Sequence, residues 1–290
     1  MKADITVIVL TKNEEKNLPD CLSSLKDFAS RVVVVDSFST DDTKVVAESF
    51  GADFYQNKFI NYSKQFNWGI DNTGINTKWT MRLDADERLT PELAEELKSL
   101  MQEHDNDDIN GIVLQSWLYF LGKKIKHGVA NKRKLMVFKT GLGRIEDIRM
   151  DERTILSSGK AISAKNRFIH MDFKDMTFWI NKLNWYATRE MQDYFELKEN
   201  KEFYKSSNFD KKLSKTRKKK FAFYYKLPLF FRCWMLFIYA YIFRLGFLDG
   251  KIGFIYHWTY HRFYRSLVDA KILEQKLTKK EFEETGDLKC

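Results

Sequence analysis

Short apolar runs alternate with segments of helical spacing over the first hundred residues. The runs are rich in valine and isoleucine, as is typical of strands buried on both faces of a sheet. They predict strands at Ile5–Leu10, Arg31–Asp36, Asp53–Tyr55 and Trp79–Leu83. Four helices are predicted between and after these strands. Asn17 caps the first, and the second is capped by Thr40 or Asp41 and ended by Gly51. The third is Ser63–Ile70, and the fourth begins at Thr90-Pro91. This alternation predicts an α/β domain with a mostly parallel sheet, whose ligand site lies beyond the carboxyl ends of the strands.

The remaining chain has two further sections. Strands are predicted at Gly111–Phe120 and Lys134–Lys139, and apolar residues at helical spacing from Met176 to Leu197 predict a long helix. A polar stretch and then the aromatic-rich segment Phe221–Phe247 follow. We therefore divide the chain into residues 1–105, 106–200 and 201–290.

The formal charge of +9 is concentrated in the last section. Residues 201–290 hold 20 Lys and Arg against 9 Asp and Glu, a formal charge of +11, which leaves −2 for residues 1–200. This distribution argues against a uniformly basic nucleic-acid-binding protein and favours a globular domain with a basic appendage. Seven of the ten residues of Lys211–Lys220 are basic, but no nucleic-acid-binding motif accompanies them. We expect no nucleic acid as a partner.

The aromatic segment predicts a helical extension attached to an anionic membrane surface. Leu229–Phe243 contains one charged residue, Arg232, yet Lys226 and Arg244 keep the run below the roughly 20 apolar residues of a bilayer-spanning helix. An amphipathic helix in the membrane interface fits better, with the lysine run attracted to anionic lipid. A plain solvated linker is the alternative interpretation of the lysine run.

Cysteine usage predicts a reducing compartment. The three cysteines are widely spaced, odd in number and form no pair typical of a disulfide framework. The first apolar run is also too short for a secretory signal. We expect a cytoplasmic protein, peripheral on the inner face of the cytoplasmic membrane.

Two carboxylates, Asp84 and Asp86, directly follow the predicted strand Trp79–Leu83. Alternate residues of an extended turn let one carboxylate bind a metal ion while the other contacts a sugar or water. Hard cations such as Mg²⁺ use one or two protein carboxylates together with substrate phosphates. The alternative is an acidic turn that caps the next helix, and the position after a buried strand favours the metal site.

Asp36 ends another predicted strand. A carboxylate at this position can accept hydrogen bonds from a base N–H or from ribose hydroxyls. The alternative is an Asp that bonds to the neighbouring backbone, and we interpret Ser39 and Asp41 nearby as turn and capping residues.

Three segments together resemble the inverting glycosyltransferase family 2, which has the GT-A nucleotide-diphospho-sugar transferase fold. They are residues 7–14 (Val-Ile-Val-Leu-Thr-Lys-Asn-Glu), 34–43 (Val-Val-Asp-Ser-Phe-Ser-Thr-Asp-Asp-Thr) and 83–87 (Leu-Asp-Ala-Asp-Glu). Gln65-Phe-Asn-Trp, Asp151-Glu152 and Gly246-Phe-Leu-Asp-Gly250 are similar to the subgroup that builds the lipopolysaccharide core and other surface polysaccharides. The resemblance implies transfer of a hexose from a nucleotide sugar, UDP-linked by preference, to a lipid-linked glycan, with Mn²⁺ or Mg²⁺ as cofactor.

The same resemblance implies a role for each matching residue. The implied donor contacts are Thr11, Asn13 and Glu14 in the nucleotide pocket, Asp36 at the uracil or ribose, Lys64 or Gln65 at the base or phosphates, and Asp84 at the ribose or sugar. Asp86 would ligate the metal ion on the donor diphosphate. Arg82 and Arg133 would add positive charge there, although for Arg133 a solvated loop charge is equally compatible. Residues 1–105 would then bind the donor and residues 106–200 the acceptor.

An inverting transfer needs a base on the acceptor side of the sugar. We favour Glu152, because the subgroup has His-Glu at this point and Glu152 aligns with its Glu. Asp151 stands where that His is expected, so the assignment stays open between the two neighbours. A charged loop is the alternative. His170 follows an apolar pair and is interpreted as a core or acceptor-domain histidine rather than a phosphate or metal contact.

Two other function classes remain open from the sequence. A nucleotidyltransferase would use a similar sheet and acidic site, but it favours a Gly/Arg/Lys-rich segment where this chain has Thr-Lys-Asn-Glu at 11–14. A non-catalytic membrane adaptor with a degenerate GT-A domain is the other class. The intact Asp84, Asp86 and Glu152 argue against it.

Overall fold

The computed structural model describes residues 1–129, 133–146, 153–199 and 224–285. The chain divides into two compact units. Unit 1 comprises Met1–Ile125 and Ala130–Lys174, and unit 2 comprises Lys126–Val129 and Asp175–Cys290. The sequence-based division into 1–105, 106–200 and 201–290 stays a prediction about function rather than about these units.

Unit 1 is built on a mixed β-sheet. Its strands are β1 Ala3–Thr11, β2 Ala29–Asp36, β3 Asp53–Gln56, β4 Trp79–Asp84, β5 Glu87–Arg88, β6 Ile109–Phe120, β7 Lys123–Ile125, β8 Arg133–Lys139, β9 Gly143–Ile145, β10 Thr154–Leu156 and β11 Lys160–Met171. Among the described residues nine strands form one sheet in the order β3-β2-β1-β4-β8-β6-β11-β5, with β7 beside β6. The first four strands are parallel, while β8 is antiparallel to both of its neighbours. The α/β class predicted from the sequence is confirmed.

Four helices of unit 1 cover the two faces of this sheet. They are α1 Leu18–Leu25, α2 Thr43–Ser49, α3 Tyr62–Asn72 and α4 Pro91–Glu103. Val7 and Val9 of β1 pack in one cluster with apolar residues of α1 and α4, whereas Ile8 packs with Phe66 of α3 on the opposite face. Because both faces of β1 are covered, its sequence is a continuous apolar run rather than an alternating one.

One predicted helix cap is wrong. The Asn17 side chain makes no capping bond to α1; its amide donates to Glu14 and Asp172, and its oxygen accepts from the backbone N–H of Phe173. Long-range contacts thus replace the local cap of α1. At α2 the N-cap position is Asp42, but Asp41, one of the two predicted residues, accepts through Oδ1 from the N–H of Thr43 over 3.1 Å and so bonds the helix start. Thr90 does cap α4, by accepting from the N–H of Leu93.

Unit 2 is helical in its described part. Its helices are α5 Met176–Glu199, α6 Phe231–Ile238, α7 Gly250–His257 and α8 Tyr264–Thr285; 3-10 turns lie at Tyr224–Lys226 and Gly246–Asp249, and π-helical turns at Tyr239–Phe243 and Trp258–Phe263. Leu183 and Ala187 of α5 pack against apolar residues of α8 to form its core. The helical C-terminal extension predicted from the sequence is confirmed for the described residues, and the left-handed Leu245 (φ 60°) ends the helical run that begins at Phe231.

Within the described residues, no single helix has both the length and the apolar character needed to cross a bilayer. The bent pair Phe231–Phe243 and Gly246–Lys279, with 70° between its halves, meets these criteria only when its halves are taken together.

Two histidines, His257 and His261, lie side by side in unit 2. His257 is fully buried, and its Nδ1 lies 3.1 Å from Nδ1 of His261. Burial lowers the pKa of His257, while burial and the neighbouring His257 lower the pKa of His261 to about 3. Both rings therefore stay neutral in the folded protein at a pH at which free histidine is charged.

We expect acid to destabilise unit 2 through this pair. Because the folded pKa of His261 is below the unfolded value of roughly 6.5, stability is complete above pH ~6.5 and falls as the pH drops towards 3, by about 1 kcal/mol at pH 5.5. Thermal unfolding at pH 7.5 and 5.5 measures the loss. His261→Phe should show a smaller loss, and an unchanged loss in that variant would contradict the assignment.

Candidate active site

Three strands of the parallel sheet bring their polar ends to one edge. Asp36 at the end of β2 is in register with Thr11 of β1, and Asp84 at the end of β4 is in register with Leu10 of β1. Asp36 and Asp84 therefore flank β1 at the carboxyl edge, roughly 10 Å apart for strands separated by two ladder spacings. The sequence prediction that these clusters share one edge is confirmed.

The loops after β1 and β2 are bonded to each other along this edge. Asn13 has a left-handed backbone (φ 54°), its N–H donates to Ser39 Oγ over 2.7 Å, and its side-chain oxygen accepts from the N–H of Thr40 over 2.8 Å. Lys12 Nζ donates to the carbonyl oxygens of Ser37 and Phe38. These bonds join the two loops that carry the predicted nucleotide contacts.

Asp36 is the centre of this loop pair. Its carboxylate is fully buried and accepts hydrogen bonds from Thr11 Oγ1 (2.9 Å), from the N–H (2.7 Å) and Oγ (2.5 Å) of Ser39, and from Gln56 Nε2 (3.3 Å). The carboxylate thus fixes the strand end and the following turn. A direct contact with uracil or ribose stays a prediction.

Replacing Asp36 by alanine should lower the free energy of unfolding by about 3 kcal/mol. The substitution leaves the buried Thr11 hydroxyl and the Ser39 N–H without their acceptor, and each buried unsatisfied donor costs roughly 1–3 kcal/mol. Urea unfolding measures the change. Asp42→Ala is the matched control, because Asp42 is exposed and makes no side-chain cap. Equal effects of the two substitutions would contradict this role of Asp36.

Lys64 and Gln65 lie at the start of α3, which Asn61 caps. Gln65 is buried: Nε2 donates to Ser37 Oγ and to the carbonyl of Asn57, and Oε1 accepts from Asn57 Nδ2. Gln65 therefore supports the loop after β2, whereas the Lys64 side chain is exposed. Of the two predicted phosphate or base contacts, Lys64 has the more accessible side chain.

The turn between Asp84 and Asp86 is held on both sides. The N–H of Asp84 donates to Glu87 Oε2 over 3.0 Å, and the carbonyl of Asp86 accepts from the N–H of Met171 over 2.9 Å. Strand β5, directly after the turn, pairs with β11 at Arg88 and Glu87. The backbone between the two carboxylates is thereby fixed by a strand that lies far away in the sequence.

Glu87 organises the charges behind this turn. It is buried, with Lys134 Nζ 3.0 Å and His170 Nδ1 3.7 Å from Oε1. Burial by itself raises the pKa of the Glu87 carboxyl, but Lys134 and His170 outweigh burial and hold this pKa below its usual range. The carboxylate is therefore charged at neutral pH.

Lys134 and His170 also face the two predicted site carboxylates. Lys134 Nζ lies 3.7 Å from Asp84 Oδ2, and His170 Nδ1 lies 3.7 Å from Asp86 Oδ1. Partial burial lowers the pKa of His170, but Asp86 and Glu87 outweigh it, so the pKa is raised. The interpretation of His170 as a core or acceptor-domain histidine stays a prediction, and β11 places its ring beside Asp86, the carboxylate predicted to bind the metal ion.

The two predicted arginines differ in their surroundings. Arg82 lies in β4 with Nη2 3.4 Å from Asp84 Oδ1, so it borders the site as expected. Arg133 precedes Lys134 on β8, is exposed and donates to Ser163 Oγ. Successive strand residues point to opposite faces, so Arg133 points away from the face that Lys134 serves. The structure thus supports the alternative of a surface charge for Arg133.

Glu14 closes the loop after β1 against the chain that follows β11. Its carboxylate accepts from Lys174 Nζ (2.6 Å) and from Asn17 Nδ2 (2.8 Å), and Asn17 also donates to Asp172. Burial raises the pKa of Glu14 even though Lys174 opposes the shift. Glu14 therefore positions this loop, and Lys174 is a partner that sequence reasoning missed.

The donor set fits a hard divalent cation shared with a substrate. Carboxylate oxygens suit Mg²⁺ and Mn²⁺, and imidazole nitrogen is a further available ligand. Asp86 and His170 are adjacent, but in the described ranges no group of three or more His, Cys, Asp or Glu residues is arranged to hold a metal ion. Such a pair fits a cation that takes its remaining ligands from phosphate oxygens and water. The predicted bases Asp151 and Glu152 lie outside the described residues.

Comparison with known proteins shows which sequences this chain is similar to. Residues 6–142 match glycosyl transferase family 2. Uncharacterized glycosyltransferase RT0209 of Rickettsia typhi is 27% identical over 214 residues, which cover 71% of each chain. Lipopolysaccharide core biosynthesis glycosyltransferase LpsC of Rhizobium meliloti is 27% identical over 211 residues, covering 70% of this chain and 76% of LpsC.

A solved structure of TarS residues 1–349 from S. aureus aligns with 99% of this chain and 92% of its own, with 15% identity and a TM-score of 0.47. The three segments that carried the resemblance all fall within residues 6–142. They form the loops and the carboxylate turn at the sheet edge. Residues 6–142 therefore match glycosyl transferase family 2, and about 70% of the chain is similar to proteins that are named as glycosyltransferases.

Proposed function

We propose that the protein is a metal-dependent inverting glycosyltransferase that moves a hexose from a UDP-sugar to a lipid-linked glycan. The observation that carries the proposal is the charge cluster at the end of β4. There Asp84 and Asp86 emerge beside Lys134 and His170 at the same edge as the loops after β1 and β2. A bound diphosphate and its cation need carboxylates that ligate the cation and cationic side chains near the phosphates.

The nucleotide would bind on the bonded loops after β1 and β2. Thr11, Asn13 and Asp36 hold those loops in one conformation, which supports a preorganised pocket for the base and ribose. Lys64, exposed at the start of α3, is the proposed phosphate contact. Asp84, restrained by Arg82 and Lys134, is the proposed contact for the ribose or the sugar.

Asp86 would hold the cation, with His170 as the second protein ligand. When bound, Mn²⁺ or Mg²⁺ supplies Lewis-acid stabilisation of the charge that develops on the departing diphosphate. The two side chains are adjacent, and ligation by His170 requires loss of the ring proton that Asp86 and Glu87 favour. Lys134, held by Glu87, adds a fixed positive charge beside Asp84.

The transfer itself is a single displacement. A bond forms between the acceptor oxygen and the anomeric carbon while the bond from that carbon to the nucleoside diphosphate breaks, which inverts the configuration. The acceptor hydroxyl gives its proton to a carboxylate on the acceptor side. Glu152 is the proposed base, and Asp151 is the alternative.

The proposed acceptor belongs to lipopolysaccharide or surface-polysaccharide synthesis. Support comes from the similarity to LpsC, whose name assigns it to lipopolysaccharide core biosynthesis. A lipid-linked acceptor would place the enzyme at the inner face of the cytoplasmic membrane, which is the location expected from the sequence.

Donor binding tests the proposal directly. The full-length protein is heated with UDP, UDP-hexoses or other nucleotide sugars, with Mn²⁺ and with chelator. We expect a nucleotide sugar to raise the unfolding temperature only when the divalent cation is present, since a ligand stabilises the state that it binds. The same donors are then assayed for slow hydrolysis. Stabilisation and turnover with nucleoside triphosphates instead would favour a nucleotidyltransferase.

The base assignment has its own test. Glu152→Gln should abolish transfer, because the amide cannot accept the acceptor proton, while donor-dependent stabilisation is retained. Asp147→Asn is the matched control in the same segment and should leave transfer within about threefold. Loss of transfer in Asp151→Asn but not in Glu152→Gln would reassign the base to Asp151.

A further inference from the structure

Unit 2 carries a dense set of exposed apolar side chains. Between Phe230 and Phe263, fourteen large apolar side chains are exposed, including Phe243 with 74% of its surface accessible. The described residues of unit 1 carry seven such side chains over a far longer stretch of chain. An exposed apolar patch of this density is typical of a surface that binds a partner or a membrane.

Six of these side chains form one stripe. Phe231, Trp234, Met235, Ile238, Tyr239 and Ile242 follow helical spacing along α6 and the π-helical turn after it, and all six are exposed. We call this stripe the aromatic face. Its spacing puts the six residues on one side of the helix.

The opposite side of α6 is already packed inside unit 2. Arg232, Cys233 and Phe237 are buried, and the Arg232 guanidinium is bonded to Asp269 of α8. In the π-helical turn that follows α7, Trp258 packs edge-to-face against Trp234, with 6.0 Å between the ring centroids. The buried side of α6 is therefore fixed within unit 2, and the aromatic face is its exposed side.

Exposed charged side chains between positions 226 and 263, the stretch that holds the aromatic face, are all cationic. Lys226, Arg244 and Lys251 are exposed, and Asp249 is the only acidic residue between positions 226 and 263. The Asp249 carboxylate is 6% exposed and accepts hydrogen bonds from the backbone N–H groups of Lys126 and His127. A partner that covers this surface therefore meets apolar groups bordered by positive charge.

We infer that the aromatic face is a docking surface for an anionic lipid bilayer. Tryptophan and tyrosine with a cationic border match the depth at which acyl chains meet phosphate headgroups. The surface lies in unit 2, whereas the donor-site residues lie in unit 1.

Vesicle sedimentation with the full-length protein tests this inference without any donor or acceptor, so its outcome is separate from that of the proposed function. We expect the protein to sediment with phosphatidylglycerol-containing vesicles, more weakly with pure phosphatidylcholine and more weakly at high salt. Phe231→Ser/Tyr239→Ser/Ile242→Ser, which changes three exposed residues of the aromatic face, should weaken binding at least tenfold. The matched control is Val45→Ser/Phe50→Ser/Leu121→Ser, which removes three exposed apolar side chains of unit 1 and should bind like the native chain.

A second variant guards against misfolding of the first. Arg244→Gln/Lys251→Gln keeps the apolar residues and should weaken binding to anionic vesicles about tenfold, with an unchanged unfolding temperature. Quenching of Trp234 and Trp258 by brominated lipids gives an independent readout, which should fall in Trp234→Phe/Trp258→Phe.

Three outcomes would overturn the inference. One is a native protein that stays in the supernatant, and another is a triple-serine variant that folds and binds as well as the native chain. The third is a protein that binds no vesicles but self-associates in lipid-free ultracentrifugation, with the triple-serine substitution abolishing the self-association. In that case a second copy of the chain would cover the aromatic face. Equal binding to neutral and anionic vesicles would remove the anionic part of the inference.

Discussion

Replacing Asp86 by alanine should reduce sugar transfer by about 10³-fold or more. The carboxylate lies at the end of the β4 turn beside His170, so its loss removes the proposed ligand of the donor-bound cation. Lewis-acid stabilisation of a departing group contributes several kcal/mol, and each ~1.4 kcal/mol is tenfold in rate. Transfer is measured at saturating Mn²⁺, and donor-dependent stabilisation is measured on the same samples.

The matched control for this experiment is Asp53→Ala. Asp53 begins β3 at the amino edge of the parallel sheet, opposite the candidate site, and forms a surface ion pair with Arg31 over 2.7 Å. We expect activity within about twofold of native for this variant, because exposed ion pairs contribute little. An Asp86→Ala protein that folds, binds donor with Mn²⁺ and transfers sugar normally would refute the assignment of Asp86.

The shared edge of the polar strand ends could be predicted because the local pattern marks where each strand ends. Ile5–Leu10 is apolar at every position except Thr6, which identifies a strand covered on both faces, and the polar residues begin where the strand ends. Parallel strands place such ends together, so the shared edge of Asp36 and Asp84 follows from the pattern alone. The role of Asp36 in holding the turn, by contrast, depends on Ser39 and Gln56 reaching it, which spacing does not reveal.

The charges behind the carboxylate turn could not be predicted in this way. Glu87, Lys134 and His170 come from three strands, and β8 and β11 reach the site through pairings distant in the sequence. The sequence does hold one signal for His170. The residue lies near the end of a strand and a polar residue follows that strand, as in the polar clusters recognised at the ends of the other strands. Asn17 was misjudged for the same reason, since its partners Asp172 and Phe173 lie some 155 residues away.

The break in the C-terminal helices was also beyond the local pattern. Composition identifies Leu229–Phe243 as apolar, but the left-handed residues Phe230 and Leu245 limit α6 and its π-helical extension to a short segment. At Phe230 the reason is visible, because its backbone N–H donates to the buried Asp269 over 2.7 Å. A tertiary contact with α8 thus decides where the helix begins.

Asp269→Ala should accordingly have the largest effect on stability, a loss of about 3–5 kcal/mol. Asp269 is buried, and Oδ1 accepts from Arg232 Nε over 2.8 Å and also from Nη2, while Oδ2 accepts from the Phe230 N–H and from Cys233 Sγ. Its removal leaves the Arg232 guanidinium buried without its counter-charge and releases the strained backbone of Phe230. Urea unfolding followed by helical circular dichroism measures the loss.

Two further variants separate the charge from the packing. Glu274→Ala removes an exposed carboxylate from the same helix and should change the free energy of unfolding by less than about 0.5 kcal/mol. Arg232→Met/Asp269→Leu removes both charges and keeps the volume, so it should be more stable than Asp269→Ala, because an apolar pair avoids the uncompensated buried charge. If Asp269→Ala and Glu274→Ala unfold alike, the ion pair does not fix α6, and the orientation of the aromatic face must come from the packing of Phe237 and Trp258 instead.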